Sequence, residues 1–228
     1  MTARLVESRE IAPGVRHFDF ELTGGEKLSF TPGQFVSFRR MFEGKEIIRA
    51  YSIASVPDGN RFALCLNEVS CGLFSPFLFV LQPGAEIEMR QPLGYFTLRN
   101  RDRDILMIAT GTGIAPFRSM LAANLADLRT QVTLLLGARY SDTLLYREEF
   151  EELARKHPNF RFWPTVTRPG EDWTGRTGRV QQHIEEALDA RTDLDVYLCG
   201  LKEMVDDIRG RLKQRGYDRK HVIYEKYD

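Results

Sequence analysis

Residues 105–116 constrain the fold of this chain more than any other stretch of the sequence. Residues 105–109 are Ile-Leu-Met-Ile-Ala, an apolar run that predicts a strand buried on both faces. A turn of small residues follows at positions 110–113, and Pro116 opens a helical pattern, since proline is favoured in the first turn of a helix. A buried strand that passes through a tight turn into a helix is typical of an α/β domain with a parallel sheet.

The turn itself indicates where an anionic ligand could bind. Gly111 and Gly113 have no Cβ, so the backbone can approach a ligand closely. The helix that follows offers unpaired N–H groups and the positive end of its dipole, which favour a phosphate. The pattern Gly-Thr-Gly-x-x-Pro is not the common dinucleotide fingerprint, however, and close packing alone can also explain such a turn.

Composition excludes several classes of function. The chain has 228 residues with 32 basic and 32 acidic side chains, so no general basic excess favours nucleic acid. No apolar run approaches membrane-spanning length, and the charged residues among the first ten leave no signal-peptide apolar region. We therefore expect a cytoplasmic protein that binds neither nucleic acid nor membrane.

The three cysteines, Cys65, Cys71 and Cys199, restrict the redox chemistry. Three thiols cannot hold a four-thiolate iron–sulfur cluster, and the lack of a C-x-x-C motif argues against a zinc ribbon or a dithiol centre. We expect no metal site, and any redox chemistry requires a non-covalent organic cofactor.

Residues 1–100 have the pattern of a small antiparallel barrel. Short strand candidates at 15–22, 33–38, 47–54, 61–69 and 86–89 are separated by turns rich in glycine and proline. One helix is predicted at 73–81. We take residues 1–100 as the first domain.

Residues 101–228 have a different hydrophobic periodicity and form the second predicted domain. Strand candidates at 105–109, 131–137, 160–166 and 195–199 alternate with helical stretches at 116–128, 147–156, 179–190 and 202–215, which predicts a parallel α/β sheet. A last strand is predicted at 221–224. The charged residues 99–104 are interpreted as a solvated connection.

Two further motifs lie in the first domain. Arg49 and Tyr51 alternate onto one face of a strand while Ser52 faces the other, so a cation and an aromatic plane lie together. Gly72 and Ser75 begin the helix and could present N–H and hydroxyl donors to a pyrophosphate. An exposed arginine beside a half-buried tyrosine, and ordinary helix capping, are the alternatives.

Four motifs in order resemble those of the plant-type ferredoxin-NADP reductase superfamily, which includes bacterial ferredoxin and flavodoxin reductases. They are Arg49-x-Tyr51-Ser52, Gly72-x-x-Ser75, Gly111-Thr-Gly-x-x-Pro116 and Cys199-Gly200. The resemblance spans nearly the whole chain. It implies an antiparallel FAD-binding β-barrel followed by a Rossmann-like NADP(H)-binding domain, with FAD in the crevice between them, and a monomer.

The resemblance also implies roles in holding FAD. Arg49 would pair with the pyrophosphate, Tyr51 would stack on the isoalloxazine, and Ser52 would bond near flavin N5. The remaining FAD residues implied are Ala50, Cys65, Leu66, Asn67, Gly72, Leu73, Phe74, Ser75 and Tyr227.

The second domain favours NADP over NAD. A fold that selects NAD places an acidic residue near the end of the second strand, whereas here Arg139 follows that strand and would suit a 2′-phosphate. Bacterial family members are similar at Thr167-Arg168 and at Thr177-Gly-Arg179, and Arg147 is a weaker candidate. A solvated surface position is the alternative for each arginine. The other NADP residues implied by the resemblance are Gly111, Thr112, Gly113, Cys199 and Gly200.

The resemblance implies that Ser52, Cys199, Glu225 and Tyr227 line the point of hydride transfer. Cys199 would pack against the nicotinamide, and Tyr227 would cover the flavin face that the nicotinamide must occupy. Family members end in Glu-x-Tyr, whereas this chain has one further residue, Asp228, so Tyr224 is an alternative to Tyr227.

The function implied is an FAD-dependent reductase that exchanges a hydride with NADPH and passes single electrons to or from a ferredoxin or flavodoxin. Arg39, Arg40, Lys45 and Arg49 form a candidate docking patch for such an acidic carrier. Two alternatives remain. One is a reductase that serves an oxygenase or free flavin, and the other is a non-catalytic nucleotide-binding subunit of an electron-transfer complex.

Overall fold

The computed structural model describes residues 1–227, so Asp228 lies outside the described residues. The chain divides into two compact units. Met1–Thr97 together with Ala115–Ala123 form the first unit, and Leu98–Ile114 together with Asn124–Asp228 form the second.

The first unit is a six-stranded antiparallel sheet with one short helix. Its elements are β1 (Thr2–Ala12), β2 (Val15–Leu22), β3 (Phe35–Phe42), β4 (Lys45–Ser52), β5 (Arg61–Asn67), α1 (Phe74–Phe79) and β6 (Glu86–Leu93). The strand order is β4-β3-β6-β1-β2-β5. A bridge between Ile53, just after β4, and Leu64 of β5 joins the two outer strands, which closes the sheet into a barrel.

Aromatic side chains fill the barrel because alternate residues of each strand face inward. The ring of Phe20 lies 5.1 Å from that of Phe38 and 5.5 Å from that of Phe62, measured between centroids. All three are almost completely buried. Tyr51 of β4 and Phe74 of α1 pack at the edge of this core.

Strand β1 was not among the predicted strands. It buries Ala3 and Leu5, but a bulge between Leu5 and Glu7 and the outward charges beyond it interrupt the period-two alternation. The pattern of alternation that reveals a strand in sequence is therefore weak in this segment.

The second unit is a six-stranded parallel sheet with helices. Its elements are β7 (Ile105–Thr110), α2 (Ile114–Asn124, whose residues 115–123 belong to the first unit), β8 (Val132–Ala138), α3 (Arg147–Lys156), β9 (Phe160–Val166), β10 (Arg176–Thr177), α4 (Ile184–Leu188), β11 (Asp195–Leu201), α5 (Lys202–Gln214) and β12 (Val222–Tyr227). The strand order is β10-β9-β8-β7-β11-β12. The chain builds outward in one direction from β7 to β10 and then returns to the other side of β7 with β11. Ligands of open α/β sheets bind at such a reversal, beyond the carboxyl ends of the strands.

The predicted fold class, an antiparallel barrel and a Rossmann-like parallel sheet, is confirmed. Two of the predicted helices differ from the structure, and one short strand of the second unit was missed. Helix α2 begins at Ile114 rather than Pro116, after a 3₁₀ turn at Gly111–Gly113. The helix predicted at 179–190 is a 3₁₀ turn, Val180–Gln182, followed by the five residues of α4, and the two-residue strand β10 was not predicted.

The segment 99–104 is more than a solvated connection. Arg103 donates a hydrogen bond from Nε to Asp195 at 3.1 Å, and Asp104 accepts one from Arg191 at 2.6 Å. These bonds fix the segment to the amino-terminal edge of the parallel sheet. Within residues 1–227, no helix has both the length and the apolar character needed to cross a bilayer.

Candidate functional site

The glycine turn after β7 packs directly against the end of β11. A Cβ on Gly113 would collide with the carbonyl oxygen of Cys199, and a Cβ on Gly200 would lie 2.5 Å from Thr110 Oγ1. The two strand ends at the reversal of strand order can approach this closely only because both positions are glycine. Gly111, with a φ of +53° and open space where a Cβ would project, faces outward from the same turn.

Thr110 supplies a test of whether a ligand fits here. Its Oγ1 atom is buried and has no hydrogen-bond partner among residues 1–227. A buried polar atom without a partner carries a desolvation cost, and such groups are usually completed by water or a ligand. The residues at this end of the sheet therefore fit a polar ligand such as a dinucleotide.

Cys199, Glu225 and Tyr227 interact within the second unit. Cys199 pairs with Glu225 in the β11–β12 ladder, and Leu201 pairs with Tyr227. Burial raises the pKa of the Cys199 thiol well above its ordinary value, and the nearby Glu225 carboxylate raises it further against an opposing hydrogen bond with Tyr227. The thiol is thus held protonated, which agrees with a packing role and not with a nucleophilic one.

Tyr224, the alternative to Tyr227, faces a different neighbour. The guanidinium of Arg209 in α5 lies 3.8 Å from the centre of the Tyr224 ring, and Lys226 lies 5.6 Å from it. Because side chains alternate along β12, Tyr224 and Lys226 share the face that packs on α5, whereas Glu225 and Tyr227 share the other. Only Tyr227 is associated with Cys199.

Two of the predicted arginines converge on Tyr140. Arg139 follows β8 and Arg168 follows β9, and the Arg168 backbone N–H donates to the Arg139 carbonyl at 2.8 Å. The Arg168 side chain donates to the Tyr140 hydroxyl at 3.5 Å, and the Arg139 guanidinium lies 5.5 Å from the Tyr140 ring centre. Hydrogen bonding from Arg168 and the charge of Arg139 lower the pKa of the Tyr140 hydroxyl. All three side chains are exposed.

The other residues predicted to bind the 2′-phosphate of NADP differ in the contacts that they already make within the protein. Thr167 donates its backbone N–H to the Ala138 carbonyl at 3.0 Å, which ties the end of β9 to the end of β8. The guanidinium of Arg179 is exposed and forms no hydrogen bond or ion pair in the described part of the chain. Arg147 is already occupied, because its Nε donates to Glu151 at 2.7 Å and its guanidinium lies 5.2 Å from the Trp173 ring. Its charge is therefore the least available of the predicted arginines.

The first unit brings Arg49 and Tyr51 onto one face of β4. Arg49 is exposed, donates from NH1 to the carbonyl of Ile48 at 2.8 Å and has no carboxylate partner within residues 1–227. The Tyr51 ring is half-buried against Phe38 and Phe74, and burial raises the pKa of its hydroxyl. An available cation beside a fixed neutral ring fits a ligand with a phosphate and a flat ring system.

Ala50 and Ser52 lie on the other face of β4. Ala50 is exposed, whereas Ser52 is buried and pairs with Phe35 of β3. Cys65 and Leu66 are buried in β5, and Asn67 at its end is exposed. Of these three residues, Asn67 is therefore the one with an exposed side chain.

The loop that leads into α1 is held by its own hydrogen bonds. The Gly72 N–H donates to the Val69 carbonyl at 2.7 Å, and the Val69 N–H donates to Ser75 Oγ at 2.9 Å. Leu73 precedes the helix and is exposed, whereas Phe74 is buried. The Ser75 hydroxyl thus accepts a hydrogen bond that shapes the loop, whereas the sequence predicted it only as a donor to a pyrophosphate.

Each unit therefore gathers one predicted group of residues. Arg49, Tyr51 and the loop before α1 belong to the first unit, while the glycine turn, the arginines and the Cys199 cluster belong to the second. Tyr140 was missed in the sequence, although it lies next to Arg139 just after a strand. No pattern distinguishes an exposed tyrosine that contacts two arginines from any other exposed tyrosine.

Two family models match the chain. Residues 2–98 match the oxidoreductase FAD-binding domain, and residues 107–210 match the oxidoreductase NAD-binding domain.

Similar proteins of known type cover most of the chain. Ferredoxin–NADP reductase B of Sorangium cellulosum is 40% identical over 99% of this chain and 97% of its own length. The toluate 1,2-dioxygenase electron transfer component of Pseudomonas putida is 31% identical over 88% of this chain, which spans only 60% of that protein. A ferredoxin NADP+ reductase from Neisseria gonorrhoeae, solved with bound FAD and NADP, superposes with a TM-score of 0.85 at 23% identity over 99% of this chain and 98% of that one.

Proposed function

The chain belongs to the ferredoxin-NADP reductase family, and on this premise we propose that it is an NADPH-dependent reductase of a small acidic electron carrier, a ferredoxin or a flavodoxin. It is an oxidoreductase with an FAD-binding and an NAD-binding domain, so the predicted family, enzyme class and flavin and dinucleotide cofactors are confirmed. Bound FAD supplies the ability to accept a hydride and to release electrons singly.

The cluster of Arg139, Tyr140 and Arg168 carries the proposal of NADPH. A fold that binds NAD has a carboxylate for the ribose hydroxyl near the end of its second strand, which is β8 here, whereas an arginine nearby suits a 2′-phosphate. Here two guanidiniums contact one tyrosine, and no carboxylate lies in residues 137–140. Charge-assisted bonds from planar guanidiniums to a phosphate are among the stronger hydrogen bonds in proteins.

At the other end of the dinucleotide, we assign Cys199, Glu225 and Tyr227 to the nicotinamide. The protonated Cys199 thiol offers a neutral packing surface, and Gly113 and Gly200 let the turn after β7 pack directly against the end of β11, which fixes the position of Cys199. Glu225 holds a carboxylate beside the thiol. Tyr227 presents a ring from the same face of β12 and would control access of the nicotinamide.

On the barrel, we assign Arg49 to the FAD pyrophosphate and Tyr51 to the flavin ring. The rigid packing of Tyr51 against Phe38 and Phe74 fixes the plane on which the ring would stack. Ser52 would place a hydroxyl near flavin N5. The loop that ends at Ser75 and the backbone of residues 65–67 would complete the site.

The charges on strands β3 and β4 bear on the acceptor. Arg39 is largely neutralised, because its Nε lies 2.7 Å from Glu88 and its NH1 lies 3.8 Å from Glu46. Arg40 stacks on the Phe77 ring at 4.0 Å and keeps its charge, and Lys45 has no ion pair within the described residues. With Arg49 assigned to the FAD pyrophosphate, Arg40 and Lys45 are the cations of this patch that remain for an acidic carrier.

A reductase that serves an oxygenase or free flavin is the second candidate, supported by the likeness to the toluate dioxygenase component. The two candidate functions predict different fastest acceptors. They also differ in whether the cations on β3 and β4 affect the rate at which the acceptor is reduced. A non-catalytic subunit would not need the protonated thiol, carboxylate and tyrosine that meet at Cys199.

The test is an acceptor panel with the FAD-loaded protein and NADPH, using ferredoxin, flavodoxin, free FMN and ferricyanide. We expect Lys45→Glu to slow reduction of the carrier protein by about tenfold at low ionic strength and to leave ferricyanide reduction unchanged. Lys213→Glu, an exposed lysine of α5, is the matched control and should change neither rate. Fast reduction of free FMN with no effect of Lys45→Glu would instead support the second candidate.

A further inference from the structure

We propose that Thr165 and His183 are positioning residues that fix the guanidinium of Arg179 for a nucleotide 2′-phosphate. The inference rests on the proposed function and extends it to the origin of its selectivity. Neither side chain needs to touch the nucleotide. Both act on the turn at residues 177–179, which joins β10 to the 3₁₀ turn Val180–Gln182.

The turn is attached to the end of β9 by its backbone. Arg176 and Thr177 pair with Thr165 and Val166, and the Gly178 N–H donates to the Val166 carbonyl at 2.9 Å. Gly178 has a φ of +96°, and a Cβ there would collide with the Gln182 side chain. The chain therefore turns sharply at Gly178, and Arg179 is the first residue beyond the turn.

Two side chains, Thr165 and His183, hold this turn by hydrogen bonds to its backbone carbonyls. His183 Nε2 lies 2.9 Å from the Thr177 carbonyl and 3.1 Å from Thr165 Oγ1. A carbonyl can only accept, so Nε2 carries the proton and donates to both oxygens. The Thr165 hydroxyl in turn donates to the Gly178 carbonyl at 2.9 Å. The carbonyls of Thr177 and Gly178 are thus both bonded to side chains.

The residue at the start of the turn has a separate attachment. The guanidinium of Arg176 lies 3.8 Å from the Trp163 ring centre and 2.6 Å from Glu186, and Trp173 Nε1 donates to the Arg176 carbonyl at 2.8 Å. Every carbonyl from 176 to 178 therefore accepts a side-chain hydrogen bond. Such a concentration of polar bonds in a two-residue strand indicates that its position is specified closely.

Arg179 contrasts with the turn that precedes it. Its carbonyl accepts from the Gln182 N–H at 2.9 Å, which fixes its backbone, while its guanidinium is exposed and forms no bond within residues 1–227. A fixed backbone with an available cation suits the binding of an anion, because a bidentate contact depends on orientation as well as on charge. Thr165 is fully buried, so its hydroxyl is hidden from any ligand and can act only through the turn.

The first part of the test measures binding of 2′,5′-ADP and of 5′-AMP to the FAD-loaded protein by calorimetry. We expect Thr165→Val and His183→Leu to weaken 2′,5′-ADP by about fivefold and to change 5′-AMP by less than about twofold, because only the former has the 2′-phosphate. His183→Gln keeps an amide N–H donor and should restore most of the affinity. Thr130→Val, which removes a buried hydroxyl that has no partner within residues 1–227, is the matched control and should have no effect.

The second part repeats the two substitutions in an Arg179→Gln background. If Thr165 and His183 act through Arg179, they should weaken 2′,5′-ADP no further in that background. A full effect in the absence of Arg179, or equal losses for both nucleotides, would overturn the proposal in favour of a general structural role. The visible absorbance of bound FAD and the thermal midpoint check that each variant is folded.

Failure of the positioning role can be distinguished from failure of the proposed selectivity for NADPH. If Arg139→Ala and Arg179→Gln weaken 2′,5′-ADP while Thr165→Val and His183→Leu do not, only the positioning role is wrong. If the wild-type protein binds 2′,5′-ADP no more tightly than 5′-AMP and Arg139→Ala has no effect, the selectivity for NADPH fails, and the positioning role fails with it.

Discussion

His17 is a buried histidine in the middle of β2, with only 3% of its surface exposed. Its Nε2 lies 3.3 Å from Asp19 Oδ1. Burial, with smaller contributions from the charges of Arg9 and Arg118, lowers the pKa of His17 to about 4 against the opposing effect of Asp19. His17 is therefore neutral in the folded protein at pH 5 to 7, where an unfolded chain would begin to protonate it.

This difference predicts a loss of stability in acid. Because the folded pKa lies below the ordinary value of 6.5, the unfolded state binds more protons as the pH falls, and stability declines from about pH 6.5 towards pH 4. Between pH 7 and pH 5 we expect the free energy of unfolding to fall by about 2 kcal/mol from this residue. Urea unfolding of the wild type and of His17→Gln at both pH values measures it. An equal loss in the two proteins would show that His17 is not the cause.

At the scale of elements, strand β12 decides which tyrosine can act at the nicotinamide. Its register with β11 places Glu225 opposite Cys199 and Tyr227 opposite Leu201, while Tyr224 packs against Arg209. We expect Tyr227→Ser to strengthen nicotinamide binding and to reduce the preference for NADPH over NADH by about three- to tenfold, since an aromatic contact contributes about 0.5–1.5 kcal/mol.

The measurement is the ratio of kcat/KM for NADPH and for NADH. Tyr224→Ser is the matched control, because it removes the same ring from the opposite face of the same strand. We expect it to leave the ratio unchanged. A change in Tyr224→Ser with none in Tyr227→Ser would assign the role to Tyr224.

Replacing glycine by alanine is expected to have opposite effects on stability in the turn after β7 and in helix α5. Gly113→Ala places a methyl group against the Cys199 carbonyl, so we expect a loss of stability of about 1–3 kcal/mol and weaker binding of NADPH. Gly210→Ala lies in the exposed middle of α5 with no atom within 4 Å of the new Cβ and should stabilise by about 0.5–1 kcal/mol. Thermal unfolding of both variants measures this. Equal behaviour of the two would contradict the close packing of the turn.

Strands with a clear hydrophobic pattern could be predicted from the sequence. Motifs that are defined by particular residue types could be predicted as well. The apolar run that became β7 and the alternation of β2 follow directly from side-chain preference, because burial of each strand needs those residues. β1 was hidden because its bulge shifts the alternation, and β10 because two residues carry no period. The helix predicted at 179–190 is short because residues 180–182 form a 3₁₀ turn and α4 begins only at Ile184. It ends at Leu188 because Asp189 and Ala190 adopt positive φ.

The residues of the candidate site could be predicted from the sequence, but the hydrogen bonds between them could not. Arg139 could be selected because it follows the second strand of the parallel sheet, where a fold that binds NAD has an acidic residue. Arg168 was selected through the resemblance to bacterial family members. The bond between Arg168 and Tyr140, and the network of Thr165 and His183, join residues far apart in sequence through three-dimensional contact alone. The ion pairs of Arg39 with Glu46 and Glu88 depend on strand pairing and also could not be predicted. The pair of Arg147 with Glu151 could have been, because the two residues are four apart on a predicted helix. Both sets of contacts change which cations are available.

At the scale of the whole molecule, the chain combines an antiparallel barrel and a parallel sheet, each with its own group of candidate residues. The FAD-binding and NAD-binding models match the corresponding stretches of sequence. The proposed function requires both groups to act in one reaction, in which electrons pass from the dinucleotide to the flavin. A measurement that requires both at once is therefore the most direct test.

That measurement is an anaerobic titration of the FAD-loaded protein with NADPH and, separately, with NADH, followed by the visible absorbance of the flavin. The arginine cluster predicts that near-stoichiometric NADPH bleaches the flavin, whereas NADH does so only at concentrations about 100-fold higher, since a phosphate that loses paired guanidiniums loses about 3 kcal/mol. Equal bleaching by NADH would contradict the assignment of Arg139 and Arg168 to a 2′-phosphate. No bleaching by either nucleotide would contradict the reductase itself.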